Sequence, residues 1–415
     1  LRTEVKEIPN ILEKVFVIVV MILFNRIPRA LVETDPTVSP IVQIVWYGVY
    51  AIIVIFFLFR WKEYISKVKH DLFILALVGF TLISVLWSEH WTITLGRSIT
   101  LIIITMLGIY LAARFELNEW LRLLAWAFGV SAVLSYVYAI FIPSSGIEIG
   151  AHLGDWKGFY GHKNVLGRMM ALSSLLFLYL GLKRHNQRWY YFSGFALSFF
   201  LMLLSDSKTA LVVFSVLIIF MLLYRVRKWL FALLRKYFLI VAIVLGIGII
   251  VCLSNIEILF RLLGRDMTLT GRTILWEAVY TMIERHPLLG YGYSAFWLGL
   301  KGPSAYVWQY VGWDPPHGHN GLLDIWAELG VLGLIIFIVG FIRNYWRALK
   351  WMPLAKAEER HWPLLFLAFM TIVNIPESCI LSLNGSAYWI IYVATSFSVL
   401  NKINDNKIDR KEELE

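Results

Sequence analysis

The segment Asp314-Pro315-Pro316-His317-Gly318-His319-Asn320-Gly321 stands directly before an apolar run that begins at Leu322. Asn320 is a good helix N-cap, since its side-chain oxygen can accept from the orphan N–H groups of a first turn. His319 then lies just outside a helix N-terminus, where the positive helix end disfavours imidazolium. A neutral histidine in that place suits the role of general base or hydrogen-bond donor near neutral pH. Two other readings stay open. His317 and His319 with Asp314 offer two imidazoles and a carboxylate, a set that can bind zinc, but no further strong ligand stands at a telling spacing. The expectation is therefore of no metal. The segment can also be a structural cap.

Cations make up the other candidates. From Gly271-Arg272 to Arg285, Leu275, Val279, Met282 and Ile283 form one apolar helical stripe. Glu277, Thr281 and Glu284 share the opposite face, and His286-Pro287 ends the element. This pattern predicts an amphipathic helix lying on a bilayer or capping a bundle. Arg272 occupies its first turn, where the helix dipole does not favour a cation. A guanidinium there can hold a phosphate bidentately or pair with a nearby carboxylate. His162-Lys163-Asn164 opens another apolar run, with Asn164 able to cap it and outward-facing N–H groups beyond, a favourable anion position. Ser205-Asp206-Ser207-Lys208-Thr209 is a tight turn in which Lys208 reaches a ligand or pairs with Asp206. Arg97 is expected at one more outer helix start.

The elements that must position these residues are apolar. Of 415 residues, 59% are hydrophobic and only 16% charged, with a mean hydropathy of +0.69. Soluble domains average about 25% charged residues. Runs long enough to cross a bilayer, or slightly short of it, recur at 11–24, 41–59, 72–87, 98–113, 119–142, 165–182, 189–204, 209–224, 237–254, 321–342, 361–375 and 386–400. The expected fold is an all-α polytopic membrane protein of about twelve transmembrane helices. No alternation typical of a membrane β-barrel is present. The first span lacks a small-residue cleavage site after it and reads as a retained helix. Cys252 and Cys379 support neither a disulfide framework nor a thiolate metal site.

Cytoplasmic loops collect Lys and Arg. With the N-terminus inside, rich clusters such as Arg225, Arg227, Lys228, Arg235 and Lys236 become cytoplasmic. Both termini are then inside, and residues 1–400 form one transmembrane domain followed by a polar cytoplasmic tail, 401–415. The +10 net charge follows from this topology and calls for no nucleic acid; membrane lipids are the expected surroundings. Two outer loops are long, 143–164 and 255–320. The second carries Trp276, Trp297, Trp308, Trp313 and several tyrosines, too aromatic for a disordered segment. Arg97, Lys163, Lys208, Arg272 and His319 all emerge on this one face.

These motifs resemble the O-antigen ligase and polymerase family, bacterial membrane glycosyltransferases. His319-Asn320 followed nine residues later by Gly330-Val331-Leu332-Gly333 is similar to the family's His-Asn-x9-Gly-x-x-Gly pattern. Ser207-Lys208-Thr209 resembles its Ser-Arg-Thr turn, with Lys where Arg is usual. Gly271-Arg272 with Trp276-Glu277, and Pro287-Leu288-Leu289-Gly290-Tyr291-Gly292, also look like family features, and Gly161-His162-Lys163-Asn164 is similar to the exopolysaccharide-polymerase branch. The resemblance implies a GT-C-like helical fold in the bacterial cytoplasmic membrane with the active site on the extracytoplasmic face. It implies an oligosaccharide on polyprenyl (undecaprenyl) diphosphate as substrate, with no cofactor, and a metal-independent, inverting transfer. Arg272, Lys208, Lys163, His162, Asn164, Arg97, His317 and Asn320 are the substrate-binding candidates it leaves, and His319 is the base. A flippase and a chain-length regulator are partners it admits. Polymerase and ligase differ only in acceptor, and the His162-Lys163-Asn164 element inclines the reading to polymerase. A transporter or lipid flippase is the rival from another class, expected to carry ionisable residues or broken helices near the membrane midplane.

Overall fold

A computed structural model of the chain describes residues 11–25, 40–59, 61–62, 64, 71–150, 152–183, 187–222, 271–356, 359–381 and 386–412. The described residues are helical, joined by turns and one isolated bridge between Ile147 and Trp156. In chain order the helices are α1 (Ile11–Asn25), α2 (Pro40–Phe59), α3 (Leu72–Ile83), α4 (Trp91–Arg114), α5 (Leu117–Phe141), α6 (Lys163–Lys183), α7 (Arg188–Leu204), α8 (Lys208–Leu222), α9 (Arg272–Ile283), α10 (Ser304–Val311), α11 (Gly321–Trp351), α12 (Trp362–Val373) and α13 (Ser386–Glu412). Every expected span except 237–254 has a counterpart; that one, with 255–270 of the large loop, lies outside the described residues. Four helices, α4, α5, α6 and α11, are long and apolar enough to cross a membrane, and shorter apolar helices stand beside them. The chain is a membrane protein.

Two boundaries differ from expectation in ways that move functional residues. Helix α4 begins at Trp91 rather than near residue 98, which puts Arg97 in its second turn and not at its start. The Trp91–Arg97 stretch is mixed in polarity, so apolarity alone does not mark where the helix begins. Helix α13 runs on to Glu412, through most of the segment expected as a polar tail.

The core is shared by helices distant in sequence: α6 lies along α7, α13 along α4, and α11 along α3. At one end of α11, a buried polar network stitches three of them together. Arg347 donates to Asp71 and, at 3.2 Å, to the Asn344 side-chain amide oxygen Oδ1, while the Ser396 hydroxyl donates to Asp71 at 2.8 Å. A buried ion pair holds only when its remaining groups are satisfied, and Asn344 supplies a further bond to Tyr392 at 2.7 Å.

At the other end, α11 is broken. Gly330 adopts φ 66°, ψ −174° inside the helix. The break frees backbone groups, and the Pro287–Gly292 turn takes them up. Tyr291 and Gly292 N–H donate to the Ala327 and Glu328 carbonyls at 3.0 and 2.9 Å, and Val331 N–H donates to the Pro287 carbonyl at 2.9 Å. A Cβ at position 330 would lie 2.1 Å from the Leu288 carbonyl oxygen, so both the positive φ and the close approach require glycine. Two motifs separated in sequence, Pro287–Gly292 and Gly330-x-x-Gly333, are thus one device that docks the large loop onto α11.

The loop has a core of its own. Leu275, Val279, Met282 and Ile283 of α9 are buried as their spacing predicts, with Ala278, Phe296, Val307 and Ala327. Glu277 and Glu284 face out. Helices α9 and α10 form a cap over the first turns of α11.

Candidate functional site

Residues 314–320 lead into α11, and Asn320 caps it as expected: its side-chain oxygen accepts from Leu322 and Leu323 N–H at 3.1 and 3.0 Å. The turn before the cap is strained. His319 has φ 49°, the left-handed region that a non-glycine residue adopts only where its surroundings impose it. Its N–H donates to His317 Nδ1 at 3.1 Å, which leaves the other nitrogen of His317 as the protonated one. Burial pushes the His317 imidazole well below its ordinary pKa, with the charge of His319 acting in the same direction.

Facing this turn is a residue that sequence reasoning did not select, Glu377. It follows α12 in the turn Asn374–Cys379 and is 1% exposed. Arg168 Nη1 donates to its Oε2 at 2.6 Å and Arg272 Nη2 donates to its Oε1 at 3.0 Å. A second Arg272 nitrogen donates to the Pro376 carbonyl. His319 Nδ1 stands 3.5 Å from Glu377 Oε2, long for a hydrogen bond but close for a charge pair. Burial alone would raise the Glu377 carboxyl. The Arg168 charge, with His319 beside it, outweighs it and holds the group well below the usual carboxylate range. One carboxylate therefore gathers two guanidiniums and a histidine from three remote parts of the chain.

Asp324, in the first turn of α11, fixes the spacing. Its Oδ1 accepts from Gly318 N–H and Trp297 Nε1–H, both at 2.9 Å. Its other oxygen accepts from the Ser378 hydroxyl. One side chain thus touches the His319 turn, the cap and the Glu377 turn. A Cβ on Gly318 would lie 2.5 Å from Asp324 Oδ1, so only glycine lets the turn come this close. The Gly318 carbonyl in turn accepts from Trp276 Nε1 at 2.9 Å, one helical turn beyond Arg272. Asn374 adds a parallel clamp: its side-chain oxygen accepts from Cys379 and Ile380 N–H at 2.8 and 3.1 Å, and its carbonyl from Gly321 N–H at 2.9 Å.

The other sequence candidates divide. His317 and Asn320 belong to the cluster, and Arg272 is bound to it. His162 lies within electrostatic reach of Arg168 and Glu377. Capping at α6 falls to His162 rather than Asn164, because the helix begins at Lys163; His162 Nδ1 accepts from Asn164 N–H at 3.2 Å. Lys163 is buried and ion-paired with Asp155. Lys208 is exposed and pairs with Asp206 at 2.7 Å. Arg97 reaches the Ser294 carbonyl of the large loop at 3.5 Å. Arg168 had a signal that went unused: an ionisable residue inside an otherwise apolar span is a functional candidate by default. Glu377 had almost none, being a lone carboxylate in a short turn.

His317, His319 and Glu377 place one ligand atom each within 4.8 Å of one another, so the structure supplies the third metal ligand that sequence spacing did not. Both Glu377 oxygens are also bonded to guanidiniums, so a metal ion there would compete with Arg168 and Arg272 for the carboxylate.

Residues 193–338 match the sequence profile of the family described as O-Antigen ligase. The chain is also 23% identical over 316 residues to the exopolysaccharide production protein ExoQ of Rhizobium meliloti, covering 74% of this chain and 71% of that one. Both likenesses support the resemblance to the O-antigen ligase family. Candidate polysaccharide ligases of Rickettsia felis and Rickettsia prowazekii are 28% and 30% identical, over 40% and 34% of this chain. Of those two relatives the chain spans 40% and 35% of the length. The family match includes Lys208, Arg272, His317, His319 and Asn320, whereas Arg168 and Glu377 lie outside it.

Proposed function

We propose that the protein is a metal-independent glycosyltransferase of the bacterial cytoplasmic membrane, working on its extracytoplasmic face. It transfers an oligosaccharide from polyprenyl (undecaprenyl) diphosphate to the growing chain of a cell-surface polysaccharide. The observation that carries this reading is the placement of His319 beside Glu377 between the Arg168 and Arg272 guanidiniums. His319 takes the proton of the acceptor hydroxyl while that oxygen attacks the anomeric carbon. The bond from that carbon to the diphosphate oxygen breaks, and the diphosphate leaves with the electron pair. Glu377 orients His319 and stabilises the imidazolium, as a carboxylate does behind a catalytic histidine. Negative charge grows on the leaving group, where fixed cations are most effective. Arg272, a planar guanidinium in the first turn of α9 beside Glu377, is the candidate diphosphate contact. A single displacement of this kind inverts the anomeric centre.

Arg168 is nearly fully buried and acts by holding Glu377. Electrostatics supports metal independence: the guanidiniums already stand where a divalent ion would serve the diphosphate. The break in α11 does not favour a transporter, because the Pro287–Gly292 turn fills it and satisfies its backbone. A ligase that transfers the glycan to lipid A core or another surface acceptor uses the same chemistry. The likeness to an exopolysaccharide production protein over most of the chain supports the polymerase reading.

Purified protein incubated with polyprenyl-diphosphate oligosaccharide alone should give a ladder of products, unchanged by EDTA. Transfer only onto added lipid A core would establish the ligase instead. Loss of activity in EDTA with recovery in zinc or magnesium would restore the metal reading at His317, His319 and Glu377.

A further inference from the structure

Four tryptophans of the cap behave differently. Trp276, Trp297 and Trp308 spend their indole N–H groups on the Gly318 carbonyl, Asp324 and the Pro315 carbonyl, at 2.9, 2.9 and 3.0 Å. They hold the cap and the His319 turn in place. Trp313 makes no such bond among the described residues and is 42% exposed. Its ring lies 6.2 Å from that of His319.

Three residues before Trp313, Tyr310 stands near the end of α10 and opens a row of side chains along the seam between α9 and α10. Tyr306 and Tyr310 stack with centroids 5.9 Å apart. The Glu277 carboxylate lies within electrostatic reach of the Tyr310 hydroxyl, and the Arg285 guanidinium covers the Tyr306 ring at 5.2 Å. Glu277, Thr281 and Arg285 recur at intervals of four on one side of α9 and its C-terminal turn, facing Tyr306 and Tyr310 of α10. From Glu277 to Arg285 the row covers about 12 Å at helical rise, and it runs away from the end of α9 that carries Arg272.

We propose that this seam is an oligosaccharide-binding subsite that delivers the acceptor glycan to His319, with Trp313 and Tyr310 as its stacking surfaces. The proposal rests on the glycosyl-transfer reading above and names where its acceptor lies. A pyranose has an apolar face of C–H groups and a rim of hydroxyls. Aromatic faces carry negative quadrupole density that attracts such C–H groups. Beside them the seam offers a carboxylate acceptor, a guanidinium donor and a phenol, the groups that pair with neighbouring hydroxyls. The rings of an interfacial aromatic belt face the headgroup region of the bilayer. Tyr306 and Tyr310 instead have charged neighbours, Arg285 and Glu277, on the same surface. Continuity with the catalytic pair supplies the direction, since Trp313 is the link between the seam and His319.

The test uses the full chain in lipid nanodiscs. The probe is the repeat-unit oligosaccharide released by mild acid from the host's own lipid-linked intermediates, titrated calorimetrically. Trp313→Ala should weaken binding roughly tenfold, the usual weight of a central aromatic anchor. Trp313→Phe should recover most of it, and Tyr310→Ala should weaken it by a smaller factor. Tyr280→Ala removes an exposed ring on the flank of α9 that faces Trp326 and should leave binding unchanged. Equal affinity in wild type and Trp313→Ala, or no binding by the wild type, overturns the subsite, and the row is then an interfacial belt. A wild type that binds the free oligosaccharide yet neither forms a ladder nor transfers glycan onto added lipid A core overturns the transfer reading and leaves the subsite standing. A ladder made by a wild type whose affinity Trp313→Ala does not change does the reverse.

Discussion

At the scale of single residues, the arrangement separates proton transfer from charge stabilisation. His319→Ala should leave donor binding largely intact and lower turnover by about 10²–10⁴-fold, the usual scale of general acid–base catalysis. Arg272→Ala should raise the donor KM and lower kcat, and Arg272→Lys should recover only part of either, because the planar fork is lost. Lys208→Arg should be tolerated, since Lys208 stands exposed against Asp206. Glu377→Gln leaves two guanidiniums without their anion and should destabilise the protein by about 3–5 kcal/mol. The sign of the pH dependence follows from the same groups. Glu377 has a folded pKa below its ordinary one, so its contribution is present above the ordinary carboxylate value and is lost as pH falls through the folded one. His317 is also depressed; below about 6.5 the unfolded chain takes up a proton that the folded chain refuses, so stability falls with pH there too. Tm should drop between pH 7 and 5, and His317→Asn, which keeps an acceptor for His319 N–H, should flatten that drop. A Tm profile identical in the variant would assign the acid sensitivity elsewhere.

At the scale of elements, two turns and one helix break carry the site. Asn320→Ala should cost about 1 kcal/mol through loss of the cap and should reduce turnover less than His319→Ala does. Asp324 acts as a positioning residue: it bonds Gly318, Trp297 and Ser378 but not the reacting atoms. Asp324→Ala should lower kcat with little change in donor KM, because the His319–Glu377 spacing loosens while Arg272 keeps its own bonds. Asp324→Asn, which retains an oxygen for Gly318 and Trp297, should recover much of the rate. A donor KM that rises as much as kcat falls would mean instead that the cap as a whole has come away. Gly330→Ala meets both a positive φ and the Leu288 carbonyl and should cost more than about 1 kcal/mol. The loss should show as faster amide exchange in the Pro287–Gly292 turn.

At the scale of the whole molecule, topology is the first thing to measure. Lys301 is expected on the extracytoplasmic side and Lys228, beyond the described residues, on the cytoplasmic side. In a background with Cys252 and Cys379 replaced by serine, a cysteine at 301 should react with a membrane-impermeant reagent in intact cells. One at 228 should react only after lysis. Labelling at 228 in intact cells would reverse the orientation and move the site to the cytoplasm.

Much of this protein is written locally in its chain. The apolar spans, the Asn320 cap, the α9 stripe of Leu275, Val279, Met282 and Ile283, and the position of His319 before a helix all depend on residues a few places apart. Burial of a span is a sum over its own side chains, so a window of sequence contains it. Which cation meets which anion is a different kind of quantity. Arg168 and Glu377 are separated by 209 positions and Arg272 and Glu377 by 105, and nothing in either neighbourhood marks the other. Lys163, Lys208 and Arg272 look alike as candidates in the sequence, and Arg168 stands there only as a charge within a span. The fold pairs the two lysines with nearby acids, Asp155 and Asp206, and brings the two arginines to one buried carboxylate. That choice is made by distance and desolvation, and both exist only once α6, α9, the turn after α12 and the start of α11 have packed together.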